Sequence, residues 1–268
     1  RLLELGFPLP RYGADGVWGQ ESLIALQTFE RACLLPQSHR DELLPATLAA
    51  IFTPLPVQGI DVSKYQRTID WAQVAAAKKR FVYIRLSFSK TIDKQGALNW
   101  DGAKKAGLFV GGYHFFRNTT PVDKQVDAFL KIFQGARSHE GSLPPALDLE
   151  WDKLGSPLKT RPAKQDYIQK ALAWMEAVEA RVGLRPIVYT GPSFWAEIDN
   201  PMTLEKYPLW VAKPARAPKL PPTWPDYLFW QYSHTGTVPG IVGKVDLNIF
   251  RGTERQLWAL TQPCPKVS

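Results

Sequence analysis

The sequence predicts an α/β fold: a TIM-like (β/α) barrel with reduced helices in its last third, preceded by a small all-α domain. Three observations predict it. From Gly59 onward short apolar runs alternate with helix-like stretches, the grammar of a parallel sheet with crossover helices. Eight such runs spread over about 210 residues, enough to close a barrel. Before Thr53-Pro54-Leu55-Pro56 the pattern is helical, and these prolines end a helix and stiffen a linker. The expected domains are therefore 1–54 and 55–268.

In the first segment Arg1 to Leu5 reads as the end of a helix. Tyr12 to Gly16 is turn chemistry, with glycines and an aspartate. Leu23, Ala25, Leu26 and Phe29 then build one apolar helix face, and a short third helix runs from Pro45 through Leu48 to Ile51. The barrel strands are expected at 59–63, 81–87, 109–116, 145–150, 186–190, 209–212, 227–232 and 245–250. Helices are expected at 70–79, 100–106, 122–133 and 166–182. The last three strands lie close together, which leaves little room for helices between them.

Composition narrows the function. The hydrophobic fraction of 45% and charged fraction of 22% are those of an ordinary globular protein. No apolar run approaches the ~20 residues that span a bilayer, so membrane insertion is not expected. The net charge of +8 is uneven: residues 1–54 carry −2 and the remainder +10. A basic surface suits a polyanion, but the charges are scattered rather than clustered in runs, which speaks against a nucleic-acid partner. Cys33 and Cys264 read as two free or buried thiols rather than a bridge. His39, His114, His139 and His234 lack the close spacing of zinc motifs, so no metal and no cofactor is expected. The chain starts at Arg1 within a helical pattern and shows no signal peptide, which suggests a piece of a longer protein.

In barrels of this type, working residues sit at the C-terminal ends of strands. Asp148-Leu149-Glu150 lies at such an end, and strand alternation puts both acids on one face. Neighbouring carboxylates raise each other's proton affinity, and glycoside hydrolysis needs one carboxyl protonated beside one ionised. Glu150, further along the strand and followed by Trp151, is the better acid candidate. A solvated strand end would give the same spacing, so the pair needs company. Asp61 stands near the end of the first strand and Asp246 near the start of the last. In a closed barrel these strands are neighbours, which brings the two acids toward Asp148 and Glu150. Four acids at barrel strands are costly to bury without a purpose.

Taken in order, the pieces Gly59-Ile60-Asp61-Val62-Ser63-Lys64-Tyr65-Gln66, Ile69-Asp70-Trp71, Phe81 to Arg85, Gly112-Tyr113-His114-Phe115 and Pro145 to Glu150 resemble the lysozymes of glycoside hydrolase family 25. Val188-Tyr189-Thr190, Leu209 to Ala212, Trp230 to Ser233 and Val245-Asp246-Leu247-Asn248 continue the resemblance over some 190 residues. Leu5-Gly6-Phe7, Asp15 to Gly19 and Ala25 to Phe29 resemble the three-helix peptidoglycan-binding domain, without the start of its first helix.

What these resemblances imply is a muramidase acting on peptidoglycan at the bacterial cell wall, in the periplasm or outside the cell. It would cleave the β-1,4 bond between N-acetylmuramic acid and N-acetylglucosamine. Glu150 would be the general acid. Asp148 would stabilise oxocarbenium-like charge or orient the substrate acetamido group, and Asp61 and Asp246 would complete the acidic site. Tyr65, Tyr113, Tyr189, Trp210 and Trp230 are expected to offer sugar-stacking faces, with core packing the equal alternative for each ring. Arg85 and Gln231 are expected to bind substrate, Arg85 alternatively neutralising the acids. Trp71, Trp100 and Trp174 fall in helices and read as packing. Lys213-Pro214 stands where the family more commonly has an aromatic.

A phage endolysin, an autolysin and a delivered antibacterial toxin would all carry these features. In the last setting an immunity protein or a delivery machinery would be a further partner. A chitinase-type barrel, which reads Asp-x-x-Asp-x-Asp-x-Glu, fails at Leu143 and Ala146. A barrel that merely binds glycan would be expected to lose at least one of the four acids.

Overall fold

The computed structural model describes residues 2, 9, 11, 17–32, 35–39, 44–52, 56–134, 141–152, 155, 158–215 and 218–262. Cys33, Cys264, His139 and the turn at 12–16 lie outside the described residues, as does Leu5-Gly6-Phe7. The chain divides into two compact units, Arg1–Pro56 and Val57–Ser268. Among the described residues, no helix is long and apolar enough to cross a membrane.

In the first unit, α1 (Gln20–Ala32) and α2 (Pro45–Phe52) are the described helices. The expected apolar face of α1 is buried through Leu23, Ala25, Leu26 and Phe29. Glu30, on the same helix, is buried too and accepts hydrogen bonds from Ser38 N (2.8 Å), Thr47 Oγ1 (2.6 Å) and the Ser38 hydroxyl. A buried carboxylate is tolerated when donors surround it, and these donors tie the loop after α1 and the start of α2 to α1.

The second unit is a closed barrel. Its staves are β1 (Val57–Val62), β2 (Phe81–Phe88), β4 (Phe109–Phe115), β5 (Ala146–Leu149), β6 (Ile187–Thr190), β7 (Leu209–Ala212), β8 (Phe229–Gly236) and β9 (Val245–Phe250). A short β3 (Thr91–Ile92) folds back antiparallel on the end of β2. Neighbouring staves run parallel from β1 through β8, and β1 pairs with β2 at one seam. The last stave differs: β9 is antiparallel to both β8 and β1. The wholly parallel sheet expected from strand–helix alternation is therefore corrected at one strand. The reason is local. The β8–β9 connection is too short for a helical crossover, and a short connection returns the chain as a hairpin.

Five helices follow the early and middle staves: α3 (Trp71–Ala76), α4 (Gly96–Lys105), α5 (Val122–Phe133), α6 (Arg161–Val182) and α7 (Pro192–Glu197). The closing α8 (Glu254–Ala259) follows β9. The six-residue α7 lies in the β6–β7 gap, for which no helix was expected; between β7, β8 and β9, where little room was expected, the described residues form no helix. α6 shows how sequence sets helix ends: Thr160 caps the first turn through Ala163 N, Pro162 sits in that turn, and Gly183 ends the helix in the left-handed region at φ 74°. Trp71, Trp100 and Trp174 are buried, as expected of packing residues.

Inside the barrel, Phe81, Tyr83, Trp210, Phe229 and Phe250 form an aromatic layer. Tyr83 and Trp210 stand 4.7 Å apart, and Phe81 and Phe229 5.1 Å. Gly59 and Gly111 make room for this layer, since a Cβ at either would fall within 2.6 Å of the Phe81 or Tyr83 ring. The aromatic layer plugs the barrel floor, so polar residues two positions further along β1 and β5 are held at its C-terminal mouth.

Candidate active site

Asp61 is two residues past Gly59 on β1, and Asp148 two past Ala146 on β5, so both point into the barrel above the aromatic layer. Asp61 lies directly opposite Asp246 in the β1–β9 register. Because β9 is antiparallel, its first residues rise at the mouth where the other staves end. That is why an acid at the start of the last strand meets an acid at the end of the first.

Asp61 is fixed by two amide relays. The Tyr189 hydroxyl donates to Gln231 Oε1 at 2.9 Å, and Gln231 Nε2 donates to Asp61 Oδ2 at 2.7 Å. In parallel, Trp210 Nε1 donates to Asn248 Oδ1 at 2.8 Å, and Asn248 Nδ2 donates to the same Asp61 Oδ2 at 2.8 Å. Burial, followed by the facing charge of Asp246, pushes the Asp61 carboxyl up to about 8, although both amides pull it down.

Asp148 is buried, and its Oδ1 has no hydrogen-bond partner among the described residues. Burial first, then the charges of Glu150 and Asp61, hold its carboxyl well above the usual carboxylate range. Glu150 is partly exposed at the end of β5. Its carboxyl is also raised, chiefly by burial, with His234 drawing it down and Asp246 pushing it up. His234 Nδ1 lies 3.3 Å from Asp246 Oδ1, and this contact raises the imidazole above its ordinary value. Tyr113 and Tyr189, buried beside the acids, are held far above the ordinary phenol range and stay protonated.

Three adjoining cavities meet at Glu150. The smallest, about 170 Å³, is enclosed by the four acids with Tyr113, Tyr189, Trp210, Gln231 and His234. A groove of about 520 Å³ runs from the acids past Tyr65, Arg85, Lys64 and Arg117. A third of about 230 Å³ opens beyond Glu150 toward Trp151 and Tyr167. Glu150 lines all three. Among the described residues, no three His, Cys, Asp or Glu side chains are disposed to hold a metal ion.

The four expected acids thus converge, and most of the expected sugar-contacting residues border the cavities, though not all as open faces. Trp210 is 1% exposed and sandwiched by Tyr83 and Tyr189, so it forms a wall. Trp230 lines none of the three. It is buried, donates to Lys213 O at 2.8 Å and packs on Tyr227 and Tyr232. Period-two alternation turns Trp230 away while its neighbour Gln231 faces inward. Tyr65, by contrast, is 71% exposed with the Arg85 guanidinium 5.2 Å from its ring centroid. Arg85 is bound to Asp93 at 2.8 Å.

Sequence reasoning did not single out His234, Asn248 or Trp151. Asn248 follows Asp246 by two residues, so alternation could have found it. His234 lies on β8 where the register slips on either side of Ser233, and there period-two reasoning gives no direction.

Comparison with known proteins agrees with this architecture. The family model for glycosyl hydrolases family 25 matches residues 60–241. The chain is 34% identical over 213 residues to lysozyme M1 of Streptomyces globisporus, spanning 76% of this chain and 72% of that protein. It is 31% identical over 208 residues to the N,O-diacetylmuramidase of a Chalaropsis species, spanning 71% of this chain and 96% of that protein. The crystal structure of a bacterial lysozyme from Streptomyces coelicolor superposes with a TM-score of 0.68 at 32% identity, covering 77% of this chain and 97% of that one. With the family model matched along most of the barrel and its acids gathered at one mouth, this chain belongs to glycosyl hydrolase family 25.

Proposed function

We propose that the chain is a peptidoglycan muramidase that hydrolyses the β-1,4 bond between N-acetylmuramic acid and N-acetylglucosamine, with Glu150 as general acid. The observation that carries this reading is the place of Glu150 at the junction of three cavities, with burial raising its affinity for a proton. A general acid must hold its proton at working pH yet reach the leaving oxygen, and a partly exposed, desolvated carboxyl meets both demands. The family's lysozymes and muramidases support the substrate.

Asp148 serves the sugar on the other side of the bond. Its unpartnered Oδ1 suits an acetamido N–H, and holding that N–H would turn the acetamido oxygen toward the anomeric carbon. Asp61, held at Oδ2 by two amides, is a fixed polar anchor beneath the developing oxocarbenium charge. Asp246 tunes both Asp61 and Glu150 and holds His234. Residues 1–54 serve as a wall-binding module, a reading supported by the motifs at Asp15 to Gly19 and Ala25 to Phe29. The site of action is then the bacterial cell wall, in the periplasm or outside the cell.

The test is digestion of purified peptidoglycan by wild type and Glu150→Gln, followed by borohydride reduction and mass spectrometry. Wild type should release fragments with reduced muramic-acid ends, and the variant should be slower by about 10²–10⁴-fold, the usual contribution of a general acid. Reduced glucosamine ends would mean that the other bond is cut. Absence of cleavage by wild type would leave a glycan-binding barrel.

A further inference from the structure

Glu150 stands one residue past the end of β5. The ladder to β6 ends at Leu149 and Thr190, and toward β4 it ends at Asp148, whose carbonyl accepts from Phe116 N at 3.1 Å. A general acid carried on such an overhang is placed by whatever grips the residues after it. Two grips are present. The Trp151 indole N–H donates to Glu197 Oε2 at 2.6 Å. Arg117, in the connection between β4 and α5, holds Asp152 with two arms, Nε to Oδ2 at 2.7 Å and Nη2 to Oδ1 at 3.3 Å. A fork of this kind fixes direction as well as distance.

Arg117 is itself fixed from beneath by a buried network. Gln125, fully buried on α5, takes the backbone of Arg117 from both sides. Arg117 N donates to Gln125 Oε1 at 3.0 Å, and Gln125 Nε2 donates to the carbonyls of Arg117 and Thr120, each at 2.9 Å. These bonds make Oε1 the acceptor, so His114 Nε2, 3.0 Å away, carries the imidazole proton. His114 Nδ1 then accepts from the Ser87 hydroxyl at 2.8 Å. The ring stacks on Trp174 with centroids 5.4 Å apart, and burial draws its pKa down to about 4. His114 is thus a neutral linker held in one tautomer, with β2, β4 and α5 all joined through it.

We propose that Gln125 and His114 are positioning residues for the general acid, acting through the Arg117–Asp152 ion pair to fix the segment that carries Glu150. The proposal rests on the muramidase reading and adds what holds its acid in place. Both side chains are fully buried, so their effect on the reaction is carried by geometry alone. A displacement of about 1 Å at the reacting groups is enough to cost about 10²-fold in rate.

Dependence on the leaving group separates positioning from general damage. A sugar hydroxyl leaves only with a proton from the acid, whereas 2,4-dinitrophenolate leaves without one. The test compares cleavage of peptidoglycan with cleavage of the 2,4-dinitrophenyl β-glycoside of the disaccharide N-acetylglucosaminyl-N-acetylmuramic acid. Arg117→Met, Asp152→Asn and Gln125→Leu should each lower kcat on peptidoglycan by about tenfold, a fraction of what a general acid contributes. KM and the rate on the aryl glycoside should stay near wild type. Combining Arg117→Met with Asp152→Asn should lose no more than either alone, because both break one grip, and Arg117→Lys should recover part of the rate. The Arg117 and Asp152 variants alter the groove wall and decide the matter even if Gln125→Leu does not fold. Equal losses on both substrates, a change confined to KM, or an unaltered rate on peptidoglycan would overturn the positioning role. Failure of wild type to produce reduced muramic-acid ends is a separate result and would overturn the muramidase reading instead.

Discussion

Asp61 shows how a single side chain can work against the fold that houses it. Its carboxyl titrates near 8 in the folded chain and near 3.8 when solvated, so below about pH 4 it is protonated in both states and costs nothing. As pH rises from 4 toward 8 the unfolded chain gives up this proton and the folded chain keeps it, and stability falls across that window. Asp61→Asn keeps an acceptor oxygen for Gln231 and Asn248 but has no proton to lose. The variant should therefore melt higher than wild type at pH 8, by roughly 2–5 °C, with the two curves converging near pH 4 and with activity much reduced. Melting curves that stay parallel between pH 4 and 9 would refute this account. At the same scale, the acids were legible in the sequence because strand alternation and strand ends are simple rules. Trp230 stands near a strand end, where a ring can stack on sugar or pack in the core, and the structure packs it. Trp151 was passed over because the sequence alone does not tell an exposed ring from a buried one.

Among the elements, the β8–β9 hairpin decides whether Asp246 and Asn248 reach the mouth, and the sequence did not reveal that β9 runs backward. Alternating strands and helices argue for parallel staves, and the departure is visible merely as a connection too short for a crossover. This hairpin is clasped from outside: Asp70 N donates to Gly240 O at 2.9 Å, and Asp70 also caps α3 through Gln73 N. Gly240 sits at φ +89°, and a Cβ there would lie 2.3 Å from Asp70 O. Neither the backbone conformation nor the space admits a side chain. Gly240→Ala should lose about 2–4 kcal/mol of stability in a denaturant titration, and kcat/KM should fall with it as Asp246 and His234 shift. A variant as stable and active as wild type would show that the clasp contributes nothing to the site. Helix starts were no easier to read than strand direction: α6 was expected from 166 and begins at Arg161, although Thr160 and Pro162 carry capping chemistry locally.

For the whole molecule, the chain parts into two compact units at Pro56 and Val57, beside the proline-bearing stretch Thr53-Pro54-Leu55-Pro56. The motif residues Leu5 to Phe7 and Asp15-Gly16 lie outside the described residues, so the case for wall binding by the first unit rests on sequence likeness. Charge offers a way to test it. Residues 1–54 carry −2 and the rest +10, so long-range attraction to an anionic wall belongs to the barrel. Salt removes that attraction: the screening length shrinks from about 10 Å at 0.1 M to about 3 Å at 1 M. A recognition unit of net negative charge works through short-range contacts and is affected far less. In cosedimentation with purified sacculi, the intact Glu150→Gln chain and the same chain lacking residues 1–56 should both bind at low salt. At high salt the truncated chain should release, while the intact chain stays bound because one wall-attached unit raises the effective concentration of the other. Equal release of the two would assign wall affinity to the barrel alone. Retention that survives salt but vanishes with the first unit would make that unit the anchor.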